Sequence, residues 1–139
     1  MTQKFTILFD LDGTLVNTAP DIMIAHNHVM KKYGYSERKL DDIKKLAGRG
    51  SKVFLTKSLH QVAELSGKPE KTNSIVEKMT KDFLDHYSKN IVKESTLLSG
   101  VLGFLNWCKS NSISMAVCTN KQEHLSIDLL KKIKIFSYF

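Results

Sequence analysis

The 139-residue chain is 42% hydrophobic and 25% charged, the balance of a soluble globular protein of one ordinary domain or a small domain with an insertion. No apolar run approaches the ~20 residues of a membrane span, and the apolar stretch after Met1-Thr2-Gln3-Lys4 is too short for a secretory signal. The net charge of +7 rests on scattered lysines, with Arg38 and Arg49 the only arginines, which reads as solvated helix faces with some attraction for anions and argues against nucleic acid as partner.

Phe5-Thr6-Ile7-Leu8-Phe9 is a nearly continuous apolar run and predicts a central parallel strand covered on both faces. It ends in Asp10-Leu11-Asp12-Gly13-Thr14, where glycine permits a sharp turn. Thr18-Ala19-Pro20-Asp21 predicts a helix start with a capping hydroxyl, proline in the first turn and an acid beside the positive end. Ile22, Ala25, Val29 and Tyr33 recur at helical spacing, and Gly34 supplies a stop. Leu40, Ile43 and Ala47 mark a second, short helix that closes at Gly48. After the polar turn Gly48-Arg49-Gly50-Ser51, a third helix carries Phe54, Leu55, Leu59, Val62 and Ala63. A turn at Ser66-Gly67-Lys68-Pro69 leads to a fourth, on Ile75, Val76, Met79, Phe83 and Leu84. Four amphipathic helices with short connections predict a small bundle.

Beyond Ser99-Gly100 a helix carries Val101, Leu102, Leu105 and Trp107. A turn at Ser110-Asn111-Ser112 precedes a second strand, Ile113–Cys118, then the polar loop Thr119-Asn120-Lys121 and a last helix with Leu125, Leu129, Leu130 and Ile133. The class is α/β. Residues 1–16 and 96–139 predict part of a Rossmann-like parallel core, and 17–95 an inserted four-helix cap. In such sheets ligands gather at the carboxyl ends of the strands, and there stand Asp10-Leu11-Asp12 and Thr119-Asn120. Cys108 and Cys118 form no disulfide framework, so with no export signal the expected compartment is the cytoplasm. His26, His28, His60, His86 and His124 show no metal-ligand spacing and read as surface or packing residues.

The string Phe9-Asp10-Leu11-Asp12-Gly13-Thr14-Leu15 resembles the signature of the haloacid dehalogenase superfamily, and Thr119-Asn120-Lys121 resembles the second motif of its phosphoglycolate phosphatase-like members with a helical cap. The resemblance implies Asp10 as a nucleophile that forms an aspartyl-phosphate, and Asp12 as the acid that protonates the leaving alcohol and the base that activates water. Relatives that cleave carbon–halogen bonds lack an aspartate at the second position, so Asp12 implies phosphoryl transfer. It further implies Mg2+ held by the Asp10 carboxylate and the Asp12 carbonyl, with Thr119 and Asn120 binding the phosphoryl group. Gly48-Arg49-Gly50 resembles the cap loop that reaches the substrate, where Arg49 would bind a carboxylate such as that of phosphoglycolate. The partner implied is a small phosphorylated metabolite. Family members continue with a third-motif lysine and a fourth-motif acidic pair; Lys121 is not in the lysine's place and Phe139 falls where the next strand should begin. The expectation is therefore a fragment of a longer enzyme, weakly active or inactive alone. The rival readings are a phosphomutase and a non-catalytic remnant that binds a phosphate ligand or a partner protein.

Overall fold

The computed structural model describes residues 5–66 and 73–139. The turn expected at Ser66-Gly67-Lys68-Pro69 and the packing expected of Val62 and Ala63 lie outside the described residues. The element order is β1 (Thr6–Phe9), β2 (Val16–Asn17), α1 (Ala19–Lys32), α2 (Leu40–Leu46), α3 (Ser51–Ser66), α4 (Asn73–Lys89), β3 (Thr96–Leu97), α5 (Val101–Ser110), β4 (Ser114–Val117) and α6 (Glu123–Lys132). A short 3-10 turn, Phe136–Tyr138, follows. The fold is α/β, as the alternation of strand and helical patterns predicts.

β1 and β4 pair in parallel, Thr6 opposite Ser114 through Phe9 opposite Val117. The pairing runs one step further, since the Cys118 N–H donates to the Phe9 carbonyl at 2.7 Å. Both strands therefore end at the same edge, which brings Asp10 and Thr119 together. The expectation that β1 is covered on both faces is not met: Phe5 is 63% and Leu8 65% exposed. Among the described residues β1 pairs with β4 alone, and a sheet of two strands offers little surface for helices to pack across. The same holds for α5. Its Leu105 and Cys108 are buried, but Leu102 and Trp107, expected on the packed face, stand 47% and 53% exposed.

The larger apolar core is helical. Val29 and Met30 of α1, Phe54, Leu55 and Leu59 of α3, and Met79, Phe83 and Tyr87 of α4 are buried together with Ile43 of α2. Each such side chain contributes roughly 1.5–3 kcal/mol through removal from water. Chain entry into and exit from this bundle are tied by a two-residue antiparallel ribbon that the sequence pattern does not announce, Val16 opposite Leu97 and Asn17 opposite Thr96.

A second tie lies beside it. Asp21 is buried at the start of α1, and its carboxylate accepts the backbone N–H groups of Lys93 (3.1 Å), Glu94 (2.9 Å) and Ser95 (2.8 Å) and the Ser95 hydroxyl (2.6 Å). Asp21 is thus more than an acid beside a helix end. Thr18 also departs from expectation. It occupies the N-cap position, yet its side chain makes no capping hydrogen bond. Its hydroxyl is turned toward Asp12 instead.

Candidate active site

Asp10 and Asp12 follow β1 in a loop whose tight return needs Gly13 at φ +78°, a conformation that side-chain-bearing residues rarely adopt. The loop closes on itself, since the Gly13 N–H donates to the Val16 carbonyl and the N–H groups of Leu15 and Val16 donate to the Leu11 carbonyl. Buried Leu11 anchors the stretch between the two acids. Asp10 is exposed, and one of its carboxylate oxygens accepts the Leu11 N–H at 2.7 Å.

Asp12 is held more tightly. Its carboxylate accepts the Thr18 hydroxyl at 2.7 Å and the Lys121 ammonium at 3.0 and 3.2 Å. Lys121 comes from the loop after β4, and only 7% of its side chain is exposed. Its ammonium also donates to the Tyr87 hydroxyl at 2.9 Å and lies 4.5 Å from the centre of that ring. Burial lowers the Lys121 pKa from the usual lysine value, against the opposing pull of Asp12. Burial likewise raises the Tyr87 phenol, with the Asp12 and Asp21 carboxylates adding to the effect, so Tyr87 stays neutral. Sequence reasoning left Thr18, Tyr87 and Lys121 out of the site. For Lys121 the signal was present in Thr119-Asn120-Lys121; for Tyr87, one aromatic on the apolar face of α4, there was none.

The other candidates fall as follows. The Thr119 hydroxyl oxygen accepts the Lys121 N–H at 3.2 Å, which leaves its proton free to donate to a ligand. The Asn120 side-chain amide donates to the Gly48 carbonyl at 3.0 Å and so links the β4 loop to the loop between α2 and α3. Gly50 packs beside it at φ +84°, where an added Cβ would stand 3.9 Å from the Asn120 carbonyl. Arg49, between these glycines, is exposed and does not line the cleft.

The cleft these residues enclose measures about 80 Å³. That is well below the ~300–1,000 Å³ of sites for drug-sized ligands, so it suits a small one. Asp10, Asp12, Thr119 and Lys121 form its polar floor, while Ile22, Phe54, Phe83 and Tyr87 form an apolar roof. The roof is stiffened by ring packing, with Phe83 stacked on Tyr87 at 5.8 Å and tilted against Phe54 at 5.8 Å.

Hard-cation chemistry has two oxygens to use here. The second Asp10 carboxylate oxygen and the Asp12 main-chain carbonyl accept no hydrogen bond among the described residues. They fit Mg2+ as two of its oxygen ligands. Among the described residues no group of three or more His, Cys, Asp or Glu could hold a metal.

Residues 7–139 match the family described as haloacid dehalogenase-like hydrolase. The chain is 32% identical over 132 residues to a phosphoglycolate phosphatase of Agrobacterium fabrum, covering 95% of this chain and 54% of the relative. It is 34% identical over 137 residues to a phosphoglycolate phosphatase of Caulobacter vibrioides, covering 96% and 54%. The crystal structure of a predicted phosphoglycolate phosphatase from Haemophilus somnus superimposes with a TM-score of 0.92 at 28% identity, covering 100% of this chain and 61% of that one. The chain thus spans about half the length of the curated relatives it matches. Among the described residues no helix is long and apolar enough to cross a membrane.

Proposed function

Because the chain belongs to the haloacid dehalogenase-like hydrolase family, we propose that its cleft serves hydrolysis of a small phosphate monoester through a phosphoenzyme on Asp10. The observation that carries the reading is the convergence of Asp10, Asp12, Thr119 and Lys121 on one small cleft at the ends of two parallel strands. Phosphoglycolate is the best single substrate, by the names of the relatives and the small enclosed volume. Residues 17–95 act in this proposal as the cap over a core of 1–16 and 96–139, joined at the β2–β3 ribbon. The compartment proposed is the cytoplasm.

In the first step an Asp10 carboxylate oxygen attacks phosphorus, the P–O ester bond breaks, and Asp12 gives its proton to the departing alkoxide. In the second, Asp12 takes a proton from water, the resulting hydroxide attacks the aspartyl-phosphate, and phosphate leaves with Asp10 restored. Lys121 and Thr18 hold the Asp12 carboxylate in place for both proton transfers. The Thr119 hydroxyl and the Asn120 backbone N–H donate to the phosphoryl oxygens, and the Lys121 ammonium adds positive charge next to them. Asn120 holds the Gly48 loop beside the cleft, and in this reading Arg49 on that loop turns in from its exposed position to meet a substrate carboxylate. Mg2+ would be held by the Asp10 carboxylate and the Asp12 carbonyl; when bound it offsets the repulsion between Asp10 and the phosphate dianion.

The test is phosphate release from a panel of monoesters with and without Mg2+, together with acid-quench trapping of labelled phosphate on the protein. Mg2+-dependent release and label on Asp10 are expected, both lost in Asp10→Asn. Turnover that survives Asp10→Asn would remove Asp10 as nucleophile.

A further inference from the structure

A second cleft, of about 630 Å³, opens on the bundle between α2 and α3. Its volume falls within the ~300–1,000 Å³ of small-ligand sites. Arg38, Lys45 and Lys57 line it with His60, and among the described residues Asp42 is the one carboxylate there. It shares no lining residue with the Asp10 cleft.

Arg38 is built in from behind. Its backbone N–H donates to the Asn27 side-chain oxygen at 2.9 Å, and the Asn27 amide donates to the Arg38 carbonyl at 2.9 Å. Its Nε donates to the Ser58 hydroxyl oxygen at 3.0 Å and its Nη2 to the Ser58 carbonyl at 3.1 Å. Ser58 is itself fixed by buried His26, 2.6 Å away. One edge of the guanidinium is thus locked to neutral protein oxygens, and the remaining N–H groups keep their capacity to donate. Among the described residues no ion pair involves Arg38, Lys45 or Lys57. An arginine whose fork is fixed in place loses little freedom on binding, which favours a planar or tetrahedral oxyanion.

We infer that the cleft between α2 and α3 is a second anion site, built on Arg38 with Lys45 and Lys57, for a small ligand bearing two or more phosphate charges. Excess positive charge and largely polar walls select an anion over an apolar ligand. The concave shape, and the lack among the described lining residues of a Phe, Tyr or Trp on which bases could stack, select a small molecule over a nucleic acid strand. The position gives such a ligand a route to the substrate. α2 ends at the loop whose Gly48 carbonyl accepts from Asn120, and α3 begins at Ser51 on the loop's other side.

The test is a titration of the 15N-labelled chain with sodium pyrophosphate, free of divalent cations, against sodium chloride at matched ionic strength. The Arg38 Nε–H and the Gln61 side-chain amide report this cleft, and the Thr119 and Lys121 backbone N–H groups report the other. Saturable shifts are expected at Arg38 and Gln61. Arg38→Lys keeps the charge but loses the fork, and the double change Lys45→Gln with Lys57→Gln alters only exposed side chains. Each should weaken binding about tenfold or more, as for other charge-assisted phosphate contacts, with the Thr119 response unchanged. Shifts that never saturate, that chloride reproduces, that are confined to Thr119 and Lys121, or that persist at full affinity in the double variant would each overturn the assignment.

Discussion

The Lys121 ammonium stands 3.0 Å from one carboxylate oxygen of Asp12 and 3.2 Å from the other, across 109 residues of sequence. The pair joins the loop after β1 to the loop after β4 at the edge where both strands end. It also reaches the bundle, because the same ammonium donates to the Tyr87 hydroxyl on α4. One cation therefore fixes the carboxylate proposed as acid and base, and ties it to the roof of the cleft.

Lys121→Met removes that cation and leaves the partly buried Asp12 carboxylate with Thr18 as its remaining partner. Loss of one electrostatic stabiliser of this kind costs ~10²–10³ in kcat. Lys121→Arg keeps the charge and is expected to restore part of the loss. Steady-state phosphate release from the best panel substrate, with a thermal melt to confirm folding, checks both variants. A folded Lys121→Met protein with unchanged kcat would contradict this role.

Thr18→Val keeps the shape of the side chain and deletes its donor. Thr18 makes no capping bond to α1, so helix content by circular dichroism is expected to stay the same. Turnover is expected to fall about tenfold, the scale of one hydrogen bond to a charged group, and Thr18→Ser to recover it. A loss of helix signal with intact turnover would return Thr18 to the capping role that its sequence position suggests.

That reversal shows where the sequence is informative. Asp10-Leu11-Asp12-Gly13-Thr14 and Thr119 are legible because each follows a strand directly, and parallel strands deliver their ends to one edge. The helices are legible because sets such as Ile22, Ala25 and Val29 in α1, or Leu125 and Leu129 in α6, recur at the helical period and are buried. Thr18 is misread because a hydroxyl before a helix is ordinarily a cap; only the fold brings it 2.7 Å from Asp12. Lys121 and Tyr87 belong to different elements, and no local pattern records their meeting. The β2–β3 ribbon has two residues a side, too few for any period. Leu8 and Trp107 are misassigned for another reason: apolar spacing tells which face seeks cover and is silent on whether a neighbour is there.

Asp21→Asn turns one acceptor of the four-bond cluster into an amide donor facing N–H groups. The exit segment Lys93-Glu94-Ser95 is then held less well to the start of α1. The expected loss is about 2–4 kcal/mol of unfolding free energy, from hydrogen bonds to a buried charge and one unsatisfied donor. Ser95→Ala, which removes one of the four, is expected to cost about 1 kcal/mol. Urea unfolding measures both, and a midpoint for Asp21→Asn within error of the parent would show the cluster to be dispensable.

The last expectation concerns acid. His26 is fully buried between α1 and α3. Its Nδ1 lies 2.9 Å from the Asn27 side-chain oxygen and its Nε2 2.6 Å from the Ser58 hydroxyl. The Asn27 amide is oriented by its two bonds to the Arg38 backbone, so its oxygen faces Nδ1 and Nδ1 carries the ring proton. Nε2 is then the acceptor for the Ser58 hydroxyl, and the ring is neutral. Burial lowers the His26 pKa below 6.5, against the Asn27 bond and aided by the nearby Arg38 charge. With the folded pKa below the unfolded one, the unfolded chain binds the extra proton first. Stability is therefore full above about pH 6.5 and falls as pH drops through that value, by at most about 1.4 kcal/mol per pH unit for this residue. His86 is lowered as well, by burial and then by its stacked neighbour His28 and by Lys93, and adds in the same direction. Urea midpoints between pH 7.5 and 5 are expected to decline in the parent and to decline less steeply in His26→Gln, which removes one titrating ring. Equal slopes in the two proteins would show that His26 takes up its proton without unfolding the bundle.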